Sequence, residues 1–284
     1  VNDETLLASL VQNPEPGALR VYADHLLEEG DPLGEFISLQ LGRAPRSLPT
    51  QREEVLRDEV LEPPLRSLLE PSSSGLTCHW EQGFLHSVEF DVGDGPLDAL
   101  QKLEARREAK LLRRVVMRAL SWTDGPDSLD ALWVSLVKQP RFRHLKELSV
   151  ERGLDLGNPY IVGPLPIGAL EPLYEAYPKL EVLGLSGVGH EFGRIVLPEL
   201  KRFSAAVLTL GAIDSLVNAY WPRLEELELE FGPAGGEAEP IFGPLLNARM
   251  SESLKRVRVT SPWPDFFRAA LPRSPLGRGR VVEV

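Results

Sequence analysis

The stretch Trp221-Pro222-Arg223-Leu224-Glu225-Glu226-Leu227-Glu228-Leu229-Glu230-Phe231-Gly232 combines two patterns. Leu224, Leu227 and Leu229 follow an apolar-x-x-apolar-x-apolar spacing, and residues 226 to 230 alternate glutamate with leucine. In an extended chain successive side chains point to opposite faces, so this segment reads as a half-buried strand with leucines on one face and carboxylates on the other. The same spacing occurs at Leu85/Val88/Phe90, Leu112/Val115/Met117, Leu145/Leu148/Val150, Leu180/Leu183/Leu185, Leu200/Phe203/Ala205 and Leu254/Val257/Val259, with starts 20 to 35 residues apart. Internal repetition of this kind takes precedence over any single residue in deciding the architecture.

Helix-compatible segments follow most copies: Leu97 to Glu108, Ser128 to Lys138, Ile167 to Ala176, Ile213 to Ala219 and Glu239 to Ala248. A short strand is unstable alone and a short helix needs its apolar face covered, so stacking such units gives a parallel sheet backed by helices around one core. Trp133, Tyr174, Tyr177, Phe242 and Leu245 read as core residues. Phe266, Phe267 and Leu271, with a short last strand near Arg280-Val281-Val282-Glu283-Val284, read as the cap that shields the open end.

Ahead of the array, Leu6, Leu7, Leu10 and Val11 form one helical stripe, and Leu19, Tyr22, Ala23, Leu26 and Leu27 form a second. Asn13-Pro14-Glu15-Pro16-Gly17 separates them, Gly30 stops the second, and Asp31-Pro32 starts a third helix through Phe36, Ile37 and Leu41. Residues 47 to 70 suggest a further helix interrupted at Pro63-Pro64, and Pro71-Ser72-Ser73-Ser74-Gly75 reads as a joint. The expected division is therefore a helical unit over 1–70 and an array over 76–284, opened by the strand at Gly83 to Phe90.

Tyr22-Ala23-Asp24-His25-Leu26, Glu28-Glu29-Gly30-Asp31-Pro32 and Gly34-Glu35-Phe36-Ile37-Ser38-Leu39-Gln40 resemble the repeat-companion domain. That short module accompanies leucine-rich and other repeats in myxobacterial and planctomycete-type proteins. His25 stands where the familiar pattern has Trp, and Leu33 where it often has Arg. The repeats themselves resemble irregular bacterial leucine-rich repeats, with Trp221 to Gly232 like a late copy. The asparagine expected three positions after the last strand leucine is replaced by Gly153, Val188 and Gly232 in three copies, so looser turns are expected. The resemblance implies an α/β architecture, an irregular leucine-rich-repeat-like solenoid with a small N-terminal helical unit. The companion module covers about forty residues and carries no common chemistry, so its resemblance implies architecture alone.

In that geometry the residues between the inward apolar positions line the concave face. Glu147, Ser149 and Glu151 form one rung, Val182, Gly184 and Ser186 the next, then Arg202, Ser204 and Ala206, then Glu226, Glu228 and Glu230, then Arg256, Arg258 and Thr260. Glu147, Glu151, Arg202, Glu226, Glu228, Glu230, Arg256 and Arg258 are the candidate partner-binding residues. Opposite charges on adjacent rungs can equally pair with one another across the sheet. Inserts at Gly153 to Gly163 and Gly232 to Glu239 offer rim contacts instead.

A formal net charge of −11 argues against general phosphate binding, and with it against nucleic acid as partner, although Arg273, Arg278 and Arg280 make the tail basic. Cys78 is the sole cysteine, which rules out an intrachain disulfide and fits a reducing compartment. The start VNDETLLASLVQNP has no signal-peptide pattern and no run of 18 apolar residues occurs, so a cytoplasmic protein without a membrane span is expected. Cys78, His79 and His86 cluster, but a structural zinc site needs four ligands, so no metal is expected. Asp24, His25, Glu28 and Asp31 read as a solvated face and a helix cap. Glycine-rich phosphate loops, a Gly-x-Ser-x-Gly elbow and His-Glu-x-x-His are all absent, and His144 and His190 stand alone. The expectation is a non-catalytic scaffold without cofactor that binds another protein; the alternative is a divergent enzyme with acidic groove residues, and after it a nucleic-acid binder.

Overall fold

The computed structural model describes residues 2–44, 47–69, 76–92, 96–119, 129, 133, 142–152, 166–209, 211–232, 238–248 and 250–284. The chain forms two compact units, one of Val1–Asp91, Gly95–Val115 and Arg141–His144, the other of Val92–Asp94, Val116–Pro140 and Leu145–Val284.

The first unit opens with α1 (Asp3–Gln12), α2 (Pro16–Glu28) and α3 (Pro32–Gly42). Each start has the local chemistry it needs. The Asn2 side chain accepts from Thr5 N–H (2.9 Å), and the Asp31 carboxylate accepts from Leu33 N–H (2.9 Å). Pro16 and Pro32 sit in first turns, where a missing N–H costs nothing. Between α2 and α3, Gly30 takes φ +73°. Its N–H donates to the Leu27 carbonyl (3.0 Å) and the Asp31 N–H to that of Leu26 (2.8 Å), the paired bonds that close a helix C-terminus. Leu10, Leu19, Tyr22, Leu26, Phe36 and Ile37 build the core, while Leu27, on the expected stripe, is exposed.

Next come α4 (Gln51–Val55), a π-helical turn (Leu56–Leu61) and α5 (Glu62–Leu69). Thr50 and Glu53 cap α4 reciprocally. The expected interruption at Pro63-Pro64 does not occur, because the π turn carries the chain through it. Glu62 N–H reaches back five residues to the Arg57 carbonyl, after which the two prolines occupy the first turn of α5. Strands β1 (Thr77–Glu81) and β2 (Phe84–Val92) then form an antiparallel hairpin whose turn residues, Gln82 and Gly83, both have positive φ (54° and 82°). Positive φ at both central residues marks the primed turn that matches strand twist. By contact the hairpin belongs with these helices: Gly83 N–H donates to Gln40 Oε1 (2.8 Å), and Trp80 meets Phe36 edge-on at 5.6 Å. Helix α6 (Pro96–Ala105) and a 3-10 turn (Arg107–Ala109) follow, with Arg107 paired to Asp31.

The second unit takes in the last four residues of β3 (Arg114–Ala119), then β4 (Glu147–Arg152), β5 (Pro166–Ala169), α7 (Glu171–Ala176), β6 (Val182–Ser186), β7 (Val188–Glu191), β8 (Arg202–Leu208), α8 (Ala212–Val217), β9 (Glu226–Phe231), α9 (Ala238–Leu246), β10 (Arg256–Thr260), α10 (Pro264–Ala270) and β11 (Val281–Glu283). Its sheet runs β3-β4-β6-β8-β9-β10-β11, and the pairs from β4 to β11 are parallel. This is a mixed α/β arrangement, a large mostly parallel sheet backed by helices.

The register follows the sequence repeat. Leu148, Leu183, Phe203, Leu227 and Val257 stand side by side on successive strands, with Val150, Leu185, Ala205, Leu229 and Val259 two residues further along. Every side chain of the seven apolar triplets is at most 4% exposed. Helical Leu173, Ile213, Leu216, Phe242, Leu245 and Phe267 are buried too, as apolar faces of short helices must be to persist. Trp133 is buried with its Nε1–H donated to the Ile167 carbonyl (2.7 Å). At the C-terminal end Phe242 lies 4.8 Å from Phe231 and 4.9 Å from Phe267, ring centre to ring centre.

Two expectations are corrected here. Ile167 to Ala176 is not one helix: Pro166–Ala169 is a strand that pairs parallel with Val188–Glu191 in a separate two-stranded sheet, and only Glu171–Ala176 is helical. Val188, standing where the asparagine was expected, begins that second strand. The segments Ser128 to Lys138 (apart from Leu129 and Trp133), Gly153 to Gly163, residues 233–237 of the second insert and the Ser72 to Gly75 joint lie outside the described residues.

Candidate functional site

At the entrance to each strand the repeat places one charged residue immediately after its first leucine: Lys146, Glu181, Lys201, Glu225 and Lys255. The backbone links them in series. The Lys146 carbonyl accepts from the N–H groups of Glu181 (2.7 Å) and Val182 (3.0 Å), and those of Glu181, Lys201 and Glu225 each accept from the next two residues of the ladder in the same way. The alternating side chains pair as well: Glu181 holds both Lys146 and Lys201 (2.5 Å to the latter), and Lys255 holds Glu225 (2.8 Å). Hydrogen bonds from Lys146 and Lys201 keep the Glu181 carboxyl below its usual value. This row is structural, since each charge is matched by one at the entrance of a neighbouring strand.

The face opposite the buried leucines carries the predicted residues. Glu226 lies between Arg202 (Nε to Oε2, 2.7 Å) and Arg256 (3.4 Å), and Arg258 lies between Glu228 (3.0 Å) and Glu283 (2.7 Å from its Nε). Glu151 lies 3.6 Å from Arg118. Among the candidate residues, then, Arg202, Glu226, Glu228, Arg256 and Arg258 are brought together in one ion-pair network; Glu147 stands opposite Val182 at the start of β4. Glu230, opposite Thr260, makes no ion pair among the described residues. Exposed pairs of this kind fix register more than they stabilise. Sequence reasoning missed Glu283, although its parity was legible: on β11 it stands opposite Arg258.

Between the charged rungs the side chains shrink. Ser149, Gly184 and Ser204 lie in one row across β4, β6 and β8, and Ser186 and Ala206 lie beyond them. The result is a groove of about 230 Å³ over the sheet, with Glu151, Glu228, Glu230 and Thr260 also on its walls. Among the described residues, no Lys, Arg or His lines it. Gly184 keeps the floor open, because a Cβ there would lie 2.9 Å from Ser149 Oγ and 3.1 Å from Ser204 Oγ. Ser149 is 8% exposed and its hydroxyl has no hydrogen-bond partner among the described residues.

Elsewhere the chemistry-bearing groups do not assemble. No cluster of three or more metal-ligating side chains exists among the described residues. His86 Nδ1 pairs with Glu81 (2.6 Å), while burial and the Glu62 carboxylate push the Cys78 thiol up to about 12. His144 Nε2 is 2.7 Å from the Val11 carbonyl. His190 is stacked on Phe192, with ring centres 5.2 Å apart, and burial lowers it to about 4. No helix among the described residues is long and apolar enough to cross a membrane.

The class defined by these features is a mixed α/β protein with an open, grooved face on a parallel sheet. No family model and no curated protein matches the chain. Among solved structures it is similar to a Bacteroides fragilis protein, at 19% identity and a TM-score of 0.47, over 57% of this chain. The match spans about half of that protein (47%), and no function passes across it.

Proposed function

We propose that the chain is a non-catalytic scaffold of the irregular leucine-rich-repeat type, preceded by a repeat-companion unit, and that it binds another protein on the open face of its sheet. The observation that carries this reading is the register of the repeat. The five apolar triplets from Leu145/Leu148/Val150 to Leu254/Val257/Val259 are buried on one side, which leaves the alternate positions from β4 to β10 as one continuous surface with a groove at its centre. Extended sheet faces of stacked repeats serve as protein-binding surfaces, and a concave, partly polar groove is where a partner's side chain finds burial. Around it Arg202, Arg256 and Arg258 are paired with Glu226 and Glu228, which favours a rim of docking contacts over acid–base catalysis. A chain with one cysteine, Cys78, fits a cytoplasmic setting.

The test is affinity capture from native-source extract with the wild-type protein and with Ser186→Arg/Ala206→Arg, a change that fills the groove without touching the ion pairs. A partner held by the wild type and lost by the folded variant is the expected result. Equal retention by both would move the binding surface off this face.

A further inference from the structure

We infer that the groove over Gly184 receives a basic side chain, lysine or arginine, from an extended segment of the partner protein. This rests on the binding-face reading and adds the chemistry of what is bound. Three independent observations converge. First, the polar groups that line the groove are carboxylates and hydroxyls, with no cation among the described residues of its walls. Glu228 is committed to Arg258 and Glu151 faces Arg118, whereas Glu230 has no ion-pair partner among the described residues. A cation entering the groove therefore meets one carboxylate that no side chain here neutralises.

Second, Ser149 is more than nine-tenths buried, lines the groove, and has no hydrogen-bond partner among the described residues. Its hydroxyl opens onto the groove, where it can accept from a donor brought in by a ligand. An ammonium or guanidinium supplies donors only, which suits a hydroxyl oxygen on one side and a carboxylate on the other. Third, Gly184 is the one residue type that leaves both Ser149 Oγ and Ser204 Oγ reachable, since any Cβ would press on them at 2.9 and 3.1 Å. The small floor admits the aliphatic stem of a long side chain, and the charged end lies toward Glu230. A carboxylate-bearing segment would meet Glu151, Glu228 and Glu230 with like charge.

The experiment uses the full chain and a fluorescein-labelled peptide, Gly-Ser-Arg-Ser-Arg-Ser-Gly, followed by anisotropy at low salt. The controls are the same peptide with both arginines replaced by citrulline, or by glutamate. Saturable binding of the arginine peptide is expected, weakened about tenfold or more by citrulline, abolished by glutamate, and weakened about tenfold by Glu230→Gln. Gly184→Val, with folding verified by circular dichroism, is expected to remove it. Equal binding of the citrulline peptide overturns the assignment of a basic side chain, as does indifference to Glu230→Gln. If groove-filling Ser186→Arg/Ala206→Arg still abolishes capture of the native partner in that case, the binding-face reading stands and only its chemistry is wrong. Spermidine that displaces the peptide at far lower concentration than the peptide's own affinity would overturn the proposal in favour of a free small cation.

Discussion

Gly83 is pressed against Ile37: a Cβ on the glycine would lie 2.1 Å from Ile37 Cγ1 and 2.8 Å from its Cα. The hairpin turn and α3 thus meet at a point where no side chain fits, and φ of +82° at Gly83 adds a second reason for glycine. Gly83→Ala is expected to destabilise the protein by about 2–5 kcal/mol, the sum of a left-handed conformation and overpacking. Gly30→Ala, with φ +73° but nothing within 4 Å, should cost only about 1 kcal/mol. Urea unfolding of the two variants checks this order; equal losses would contradict the contact.

Phe242 joins the last helices to the sheet through Phe231, Phe267 and Trp263, with ring centres 4.8, 4.9 and 5.5 Å away. Phe242→Ala should cost about 3–5 kcal/mol, as expected of an aromatic side chain removed from a packed core. Half-buried Phe266, changed in the same way, should cost clearly less. Denaturant midpoints followed by tryptophan fluorescence separate the two.

Burial lowers His190 from an ordinary 6.5 to about 4. Between these values the unfolded chain takes a proton that the folded chain refuses, so stability is fully present above pH 6.5 and falls as the pH drops toward 4. The whole loss from this group is about 3 kcal/mol. His190→Gln should flatten that part of the stability profile relative to wild type, and the slopes between pH 7 and 4.5 measure it. Parallel slopes would show that His190 titrates normally.

Cys78, pushed up to about 12, is almost entirely thiol at pH 8. Its reaction with Ellman's reagent should be far slower in the native protein than in denaturant. Immediate native labelling would contradict the raised thiol of this half-buried side chain.

Much of this architecture is legible in the chain. A leucine at the strand entrance followed by two inward positions is demanded by the core, so Leu145/Leu148/Val150 and its relatives mark the strands and even their register. The β5–β7 pair is not legible, because Pro166–Ala169 finds its hydrogen-bond partners on Val188–Glu191, and Ile167 taken locally suits a helix equally well. The attachment of the hairpin to α3 is hidden for the same reason: Gly83 and Gln40 meet only in space. The charged face could be read from the alternation of residues 226–230, but not the groove. A groove is a place where side chains are small on three neighbouring strands at once, and Ser149, Gly184 and Ser204 acquire that meaning only in register.

The most direct test of the central claim is photo-crosslinking with a benzophenone placed either at Ser186, beside the groove, or at Glu252, before β10 and outside it. In native-source extract, a discrete crosslinked partner is expected from the Ser186 probe and none from the Glu252 probe. A partner captured only from Glu252 would contradict a binding surface on the open face of the sheet.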